Sequence, residues 1–137
     1  IKFSIMRNWK KIILKTDSDI SNAIKVMDSE ALKLIMVSDQ VGKLIGTITD
    51  GDIRRALIKK YEMKTKINKI MNNKPIACLR NTSKKDILAI MKNKKILQIP
   101  IVDNKFKIVG LETISNLISI KNKVSKVNID NPSTFNG

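Results

Sequence analysis

An offset of 64 residues lays one half of this chain on the other, and that duplication constrains the fold more than any other feature. It places Met27 on Met91, Ile35 on Ile99, Asp39 on Asp103, Lys43 on Lys107, Gly46 on Gly110 and Thr49 on Thr113, with no gap between Val26 and Ile53. Apolar positions match in kind as well: Leu32 with Ile96, Val37 with Ile101, Leu44 with Ile108, Ile45 with Val109. One supersecondary unit used twice predicts two half-modules packed into a single body, since solenoid arrays generally need three or more repeats.

The apolar pattern resolves each half into the same order. Lys11 to Leu14 reads as a strand, and Thr16-Asp17-Ser18-Asp19 supply helix-cap residues. Ile20, Ala23, Ile24 and Met27 follow at helical spacing, with Met27 on the core face. Leu34-Ile35-Met36-Val37 and Lys43 to Ile48 read as a hairpin turning at Asp39 to Gly42, and a helix from about Asp50 to Tyr61 closes the half. Ile67, Ile70 and Met71 form a helical connector. The second half repeats this with a strand at Ile76 to Leu79, a capped helix after Asn81-Thr82-Ser83 carrying Met91 on its core face, a hairpin around Asp103-Asn104, and a helix from Ile114 to about Lys121. Pro100 has no N–H, which predicts an edge or an unpaired position for its strand. The partition is an N-terminal extension at 1–8, a first motif at 9–66, a second at 67–121, and a tail or linker at 122–137. The absence of an initial Met, with the linker-like end, is what a piece of a longer protein would show.

Composition narrows the chemistry. With 137 residues and 42% hydrophobic content, the chain is sized for one ordinary globular domain. Histidine is absent, which argues against zinc chemistry and against Ser-His or Cys-His catalysis. No catalytic residue and no metal site is expected. The lone Cys78 cannot form an internal disulfide, and its apolar setting reads as a buried thiol in a reducing, cytoplasmic compartment. No apolar run approaches membrane-spanning length. The net charge of +15 invites a nucleic-acid reading. Against it, the charge is nearly all Lys, spread along the chain, and aromatics make up only 4%, so no stacking platform is visible. The charge would still concentrate phosphorylated ligands near the surface.

Gly46-Thr47-Ile48-Thr49-Asp50-Gly51-Asp52-Ile53-Arg54-Arg55, echoed by Gly110-Leu111-Glu112-Thr113-Ile114-Ser115-Asn116-Leu117, is a strand running into a helix start. Outward N–H groups there suit an anion, and a neighbouring carboxylate can accept from a pair of sugar hydroxyls. Thr49 and Asp52 also have the spacing of an N-cap and its third residue, so mutual capping accounts for them without a ligand. Arg55 stands one turn from Asp52 and can pair with it rather than with a phosphate.

This Gly-x-x-Thr-x-x-Asp signature, with β-α-β-β-α read twice, resembles a tandem pair of CBS domains, a Bateman module, over roughly residues 8 to 121. The resemblance implies an α/β (α+β) fold in which two pseudo-symmetric motifs pack sheet to sheet and form two clefts. It implies a non-catalytic regulatory module that binds an adenine nucleotide (AMP, ADP or ATP), requires no cofactor and forms a homodimer. In the first cleft Asp52 would accept from both ribose hydroxyls, Thr49 would bind ribose or phosphate, and Thr16, Asp17 and Ser18 would contribute backbone and hydroxyl contacts. Arg54 and Arg55 are candidates for the phosphate. In the second cleft Thr113 remains, but Asn116 replaces the carboxylate with a single amide oxygen, so a weaker or empty site is expected. Ile76, Ala77 and Cys78 could line its base pocket through backbone groups.

Arg7-Asn8-Trp9-Lys10-Lys11 with Thr49-Asp50-Gly51-Asp52-Ile53-Arg54-Arg55 is similar to the CBS pair preceding bacterial sugar-phosphate nucleotidyltransferases. The second string also resembles the CBS pair of arabinose 5-phosphate isomerases. A covalently attached catalytic domain is therefore expected, and the rival reading is a structural dimerisation module with vestigial clefts.

Overall fold

The computed structural model describes residues 8–30 and 33–119. Its elements are β1 (Ile13–Lys15), α1 (Ile20–Ser29), β2 (Leu34–Ser38), β3 (Leu44–Thr49), α2 (Asp50–Ile58), β4 (Cys78–Leu79), α3 (Lys84–Lys94), β5 (Gln98–Val102) and β6 (Ile108–Thr113). A last helix, α4, is described over 114–119. The extension before residue 8, the tail at 122–137 and the end of α4 expected near Lys121 lie outside the described residues.

Each half builds one three-stranded sheet, in the orders β1-β2-β3 and β4-β5-β6. The duplication extends to single residue pairs. Leu34 opposes Thr49 and Val37 opposes Gly46 in one hairpin; Gln98 opposes Thr113 and Ile101 opposes Gly110 in the other. Both hairpins carry an irregularity at the same place, between Val37 and Ser38 and between Ile101 and Val102. At each turn one carboxylate organises the loop. Asp39 accepts from the N–H groups of Val41 (3.0 Å) and Lys43 (2.9 Å), and Asp103 from those of Lys105 and Lys107 (both 2.9 Å). These donors hold both carboxyls below the ordinary carboxylate range, the N–H of Lys43 leading at Asp39 and that of Lys107 at Asp103.

The two turns meet. Leu44 N–H donates to the Phe106 carbonyl (2.9 Å) and Ile108 N–H to the Gly42 carbonyl (3.0 Å), which are the same bond related by the offset. A local two-fold axis therefore passes between Lys43 and Lys107, which bridge there. The turn needs a left-handed residue in each copy, supplied by Gly42 (φ 90°) and Phe106 (φ 65°). Phe106 tolerates that backbone because its side chain packs on the core between the sheets.

Strand periodicity sorts the core into layers. Leu34 and Met36 of β2 enter the cluster between the sheets with Ile12, Leu44, Val102 and Leu111, and Trp9 packs against it. Ile35 and Val37, pointing the other way, pack with Ala23, Ile53 and the connector residue Ile67. Cys78, Ile99 and Ile101 form the matching outer layer of the second half with Ile87, Met91 and Leu117. Met91 is fully buried, and Met27 is partly buried against the first-half layer. The expected α+β fold of two pseudo-symmetric motifs facing each other through their sheets is what forms.

Three local expectations are corrected. Lys11 and Ile12, expected to begin the first strand, instead end a 3-10 turn (Trp9–Ile12), because Ile12 and Trp9 turn inward to the inter-sheet core. The cap of α1 is Asp19 alone, in a reciprocal capping box with Asn22 (2.9 Å each way), not Thr16, Asp17 or Ser18. The strand predicted over Ile76–Leu79 is confined to Cys78–Leu79. Pro100 lies in the central strand β5 and not at an edge, but one residue before the pairing with β4 begins at Ile101, which is the unpaired position expected of it. No helix among the described residues is long and apolar enough to cross a membrane.

Candidate functional site

The strand β3 delivers Thr49 to the first residue of α2 in extended conformation (φ −106°, ψ 168°), as an N-cap requires. Close approach makes this possible at Gly46. A Cβ there would lie 2.5 Å from Met71 Sδ and 3.0 Å from the Asn72 carbonyl, which accepts from Thr47 N–H (3.1 Å). The connector is thus laid tightly along β3.

Thr49 and Asp52 hold each other. Asp52 N–H donates to Thr49 Oγ1 (3.3 Å), while Asp52 Oδ2 accepts from Thr49 N–H (2.9 Å) and Thr49 Oγ1 (3.1 Å). Arg55 Nη2 reaches Asp52 Oδ1 at 2.7 Å. The Asp52 side chain is 18% exposed and that of Arg55 63%, so this is a surface pair worth about 0–1 kcal/mol and readily exchanged for another partner. Asp52 and Arg55 border a small polar cavity of about 110 Å³ whose other walls include Lys59, Tyr61 and Lys69.

Arg54 is not brought to this cavity. It pairs at 3.8 Å with Asp50, on the rim of a larger open cavity of about 410 Å³ between α1 and α2. Thr16 and Asp17 lie in the turn after β1, where the Asp17 carbonyl accepts from Lys66 Nζ (2.9 Å). Among the described residues no hydrogen bond joins their side chains to Thr49 or Asp52.

The second helix start differs in a way that residue matching along the repeat overlooks. Thr113 Oγ1 caps α4 by accepting from Asn116 N–H (3.1 Å) and lies 3.3 Å from Ser115 Oγ. The carboxylate, however, has moved to the strand. Glu112, fully buried, occupies the place that Ile48 has in the first half. Its Oε1 accepts from Thr113 N–H (3.2 Å) and Asn116 Nδ2 (2.8 Å), and its Oε2 from Lys84 Nζ (3.0 Å). Lys84 in turn stands where the first half has the buried Ile20. An apolar pair of positions in one half has become an ion pair in the other. Charged residues at core positions of the repeat were the signal.

Asn116 therefore directs its amide inward to Glu112. Arg54 and Arg55 have Ile118 and Ser119 as their equivalents, so the second half has no arginine there. Cys78 is buried in the outer layer behind β4, and burial pushes its thiol up. Ala77 packs against the inter-sheet core while Ile76 is 37% exposed. Among the described residues no cluster of His, Cys, Asp and Glu is arranged to hold a metal ion.

The chain is 34% identical over 118 residues to an uncharacterised protein of Rickettsia prowazekii, covering 85% of this chain and 36% of that protein. It is 27% identical to the arabinose 5-phosphate isomerase of Francisella tularensis over 86% of this chain and 36% of the isomerase. It thus spans little more than a third of the length of these curated relatives. Among solved structures, CBSX2 in complex with AMP superposes with a TM-score of 0.77 at 16% identity, covering 91% of this chain and 97% of that one. The CBS domain pair of MJ0100, in complex with 5-methylthioadenosine and S-adenosyl-L-methionine, superposes with a TM-score of 0.75 at 24% identity, covering 90% and 95%. The CBS domain model matches residues 2–59 and again 67–121, so the chain belongs to the CBS domain family, as a tandem pair.

Proposed function

We propose that this CBS pair is a non-catalytic regulatory module that senses an adenine nucleotide in its first half. Thr49 and Asp52 take the ribose, and Arg55 leaves Asp52 for a phosphate. The carrying observation is the partly exposed Asp52 carboxylate, held at a cavity edge by Thr49 and neutralised only by a displaceable surface arginine. The adenosine ligands of CBSX2 and of the MJ0100 pair are consistent with that class. A ligand at 100 times its dissociation constant should stabilise the fold by about 2.7 kcal/mol. Titration calorimetry with AMP, ADP, ATP and CMP tests the assignment. Asp52→Asn should weaken binding about tenfold or more, through loss of a charge-assisted acceptor, and unchanged affinity would remove Asp52 from the ribose role.

Ligand binding regulates only if it favours one arrangement of the attached parts over another. The attached catalytic domain belongs to a sugar-phosphate enzyme: a nucleotidyltransferase, or an isomerase, which the Francisella relative favours. The module acts as a cytoplasmic homodimer. A second reading, a structural pairing module with vestigial clefts, is favoured by one observation: both Asp52 oxygens already have internal partners. Ligand-induced stabilisation separates the two.

A further inference from the structure

Three cations converge on the 110 Å³ cavity beside Asp52, two of them placed by α2 and its end and the third by the connector. Arg55 is one turn along α2 from Asp52 and Lys59 is one turn further. Beyond Lys59 the chain reverses through Lys60 in a left-handed conformation (φ 65°). Tyr61 N–H then donates to the Ala56 carbonyl (3.0 Å) and Lys60 N–H to that of Leu57 (3.0 Å), a helix-ending motif that folds Tyr61 back onto the cavity wall. Lys69 approaches from the connector, whose 3-10 turn (Ile67–Lys69) is anchored by the fully buried Ile67.

Asp52, already shared with Arg55, is the sole carboxylate on that wall, and among the described residues neither Lys59 nor Lys69 has an ion-pair partner. Like charges gathered around a polar hollow repel one another until an anion with several charges enters. The second half offers no copy of this wall at the Arg55 position, where it has Ser119.

We infer that this cavity takes the phosphate chain of the ligand, with Lys59 and Lys69 selecting a nucleoside di- or triphosphate over the monophosphate. The inference rests on the reading that Asp52 holds the ribose, but its probe can be separated from that reading. Calorimetric titrations at fixed ionic strength compare AMP, ADP, ATP and inorganic tripolyphosphate on the native chain, on Lys59→Ala/Lys69→Ala, and on a control that removes two exposed charges elsewhere, Lys85→Ala/Lys92→Ala. The native chain should bind ATP about tenfold more tightly than AMP, which two exposed cation–phosphate contacts can supply. Lys59→Ala/Lys69→Ala should erase that preference by lowering ATP affinity far more than AMP affinity, while the control keeps it. Equal affinities for AMP and ATP in the native chain, or equal losses in the two double variants, overturn the inference. If tripolyphosphate binds through Lys59 and Lys69 but no nucleotide does, the ribose reading falls and the cavity assignment stands. If neither binds, both fall.

Discussion

The Lys84–Glu112 pair, buried on its carboxylate side, offers a sharp test of how the second half is held together. Glu112 is fully buried and accepts three hydrogen bonds, one of them charged. Lys84→Met removes the charged donor and leaves a carboxylate in the core with two neutral donors. Breaking a buried pair from one side costs about 3–5 kcal/mol, but the Lys84 side chain is 41% exposed and water can replace part of its contribution, so about 2–3 kcal/mol is expected. Glu112→Ile restores the first-half residue and removes the buried charge. Its cost, about 1–2 kcal/mol, comes from the Thr113 N–H and the Asn116 amide losing an acceptor. In that background Lys84 has no buried charge to neutralise, so adding Lys84→Met should cost under about 0.5 kcal/mol. Urea denaturation followed by Trp9 fluorescence measures all four proteins, since Trp9 packs on the core between the sheets. Equal costs for Lys84→Met in both backgrounds, at unchanged m-values, would refute the argument.

Gly46→Ala should destabilise by about 1–3 kcal/mol, since the new Cβ meets Met71 and the Asn72 backbone. Met71→Ala should recover only part of that, because the Asn72 carbonyl stays 3.0 Å away, and full recovery in denaturation experiments would contradict this. Asp39 and Asp103 have folded pKa values below the ordinary 3.8, so the stability they confer is complete above that value and disappears as pH falls through the folded pKa. Asp39→Asn/Asp103→Asn should flatten the acid limb of the stability curve, and an NMR titration midpoint at or above 3.8 for either carboxyl would refute the turn geometry. Cys78, buried with a raised pKa, should react with a thiol reagent at neutral pH only as fast as the chain opens. Complete labelling of native protein within seconds would place the thiol at the surface.

The repeat, the strand–helix order and the capping chemistry at Thr49 were legible in the residues, because they rest on local periodicity and on side chains that bond to their own backbone within a few positions. Asp39 and Asp103 belong to the same class: a short acidic side chain at a turn organises the N–H groups beside it in both copies. What lay beyond the sequence were contacts between residues far apart along it. The bonds joining Leu44 to Phe106 and Ile108 to Gly42 define the two-fold axis, yet no local pattern announces them. The 3-10 turn at Trp9–Ile12 follows from a core assembled by both halves, which overrode the strand-like apolar run. The repeat marks Lys84 and Glu112 as charges at positions where the first half holds isoleucines, but only folding brings the two together, 28 residues apart. Local propensity acts through neighbours in the chain and so can be read from letters. Whether a carboxylate lies at a cavity edge, as that of Asp52 does, or is sealed in the core against a half-exposed lysine, as that of Glu112 is, depends on which distant surfaces folding brings together.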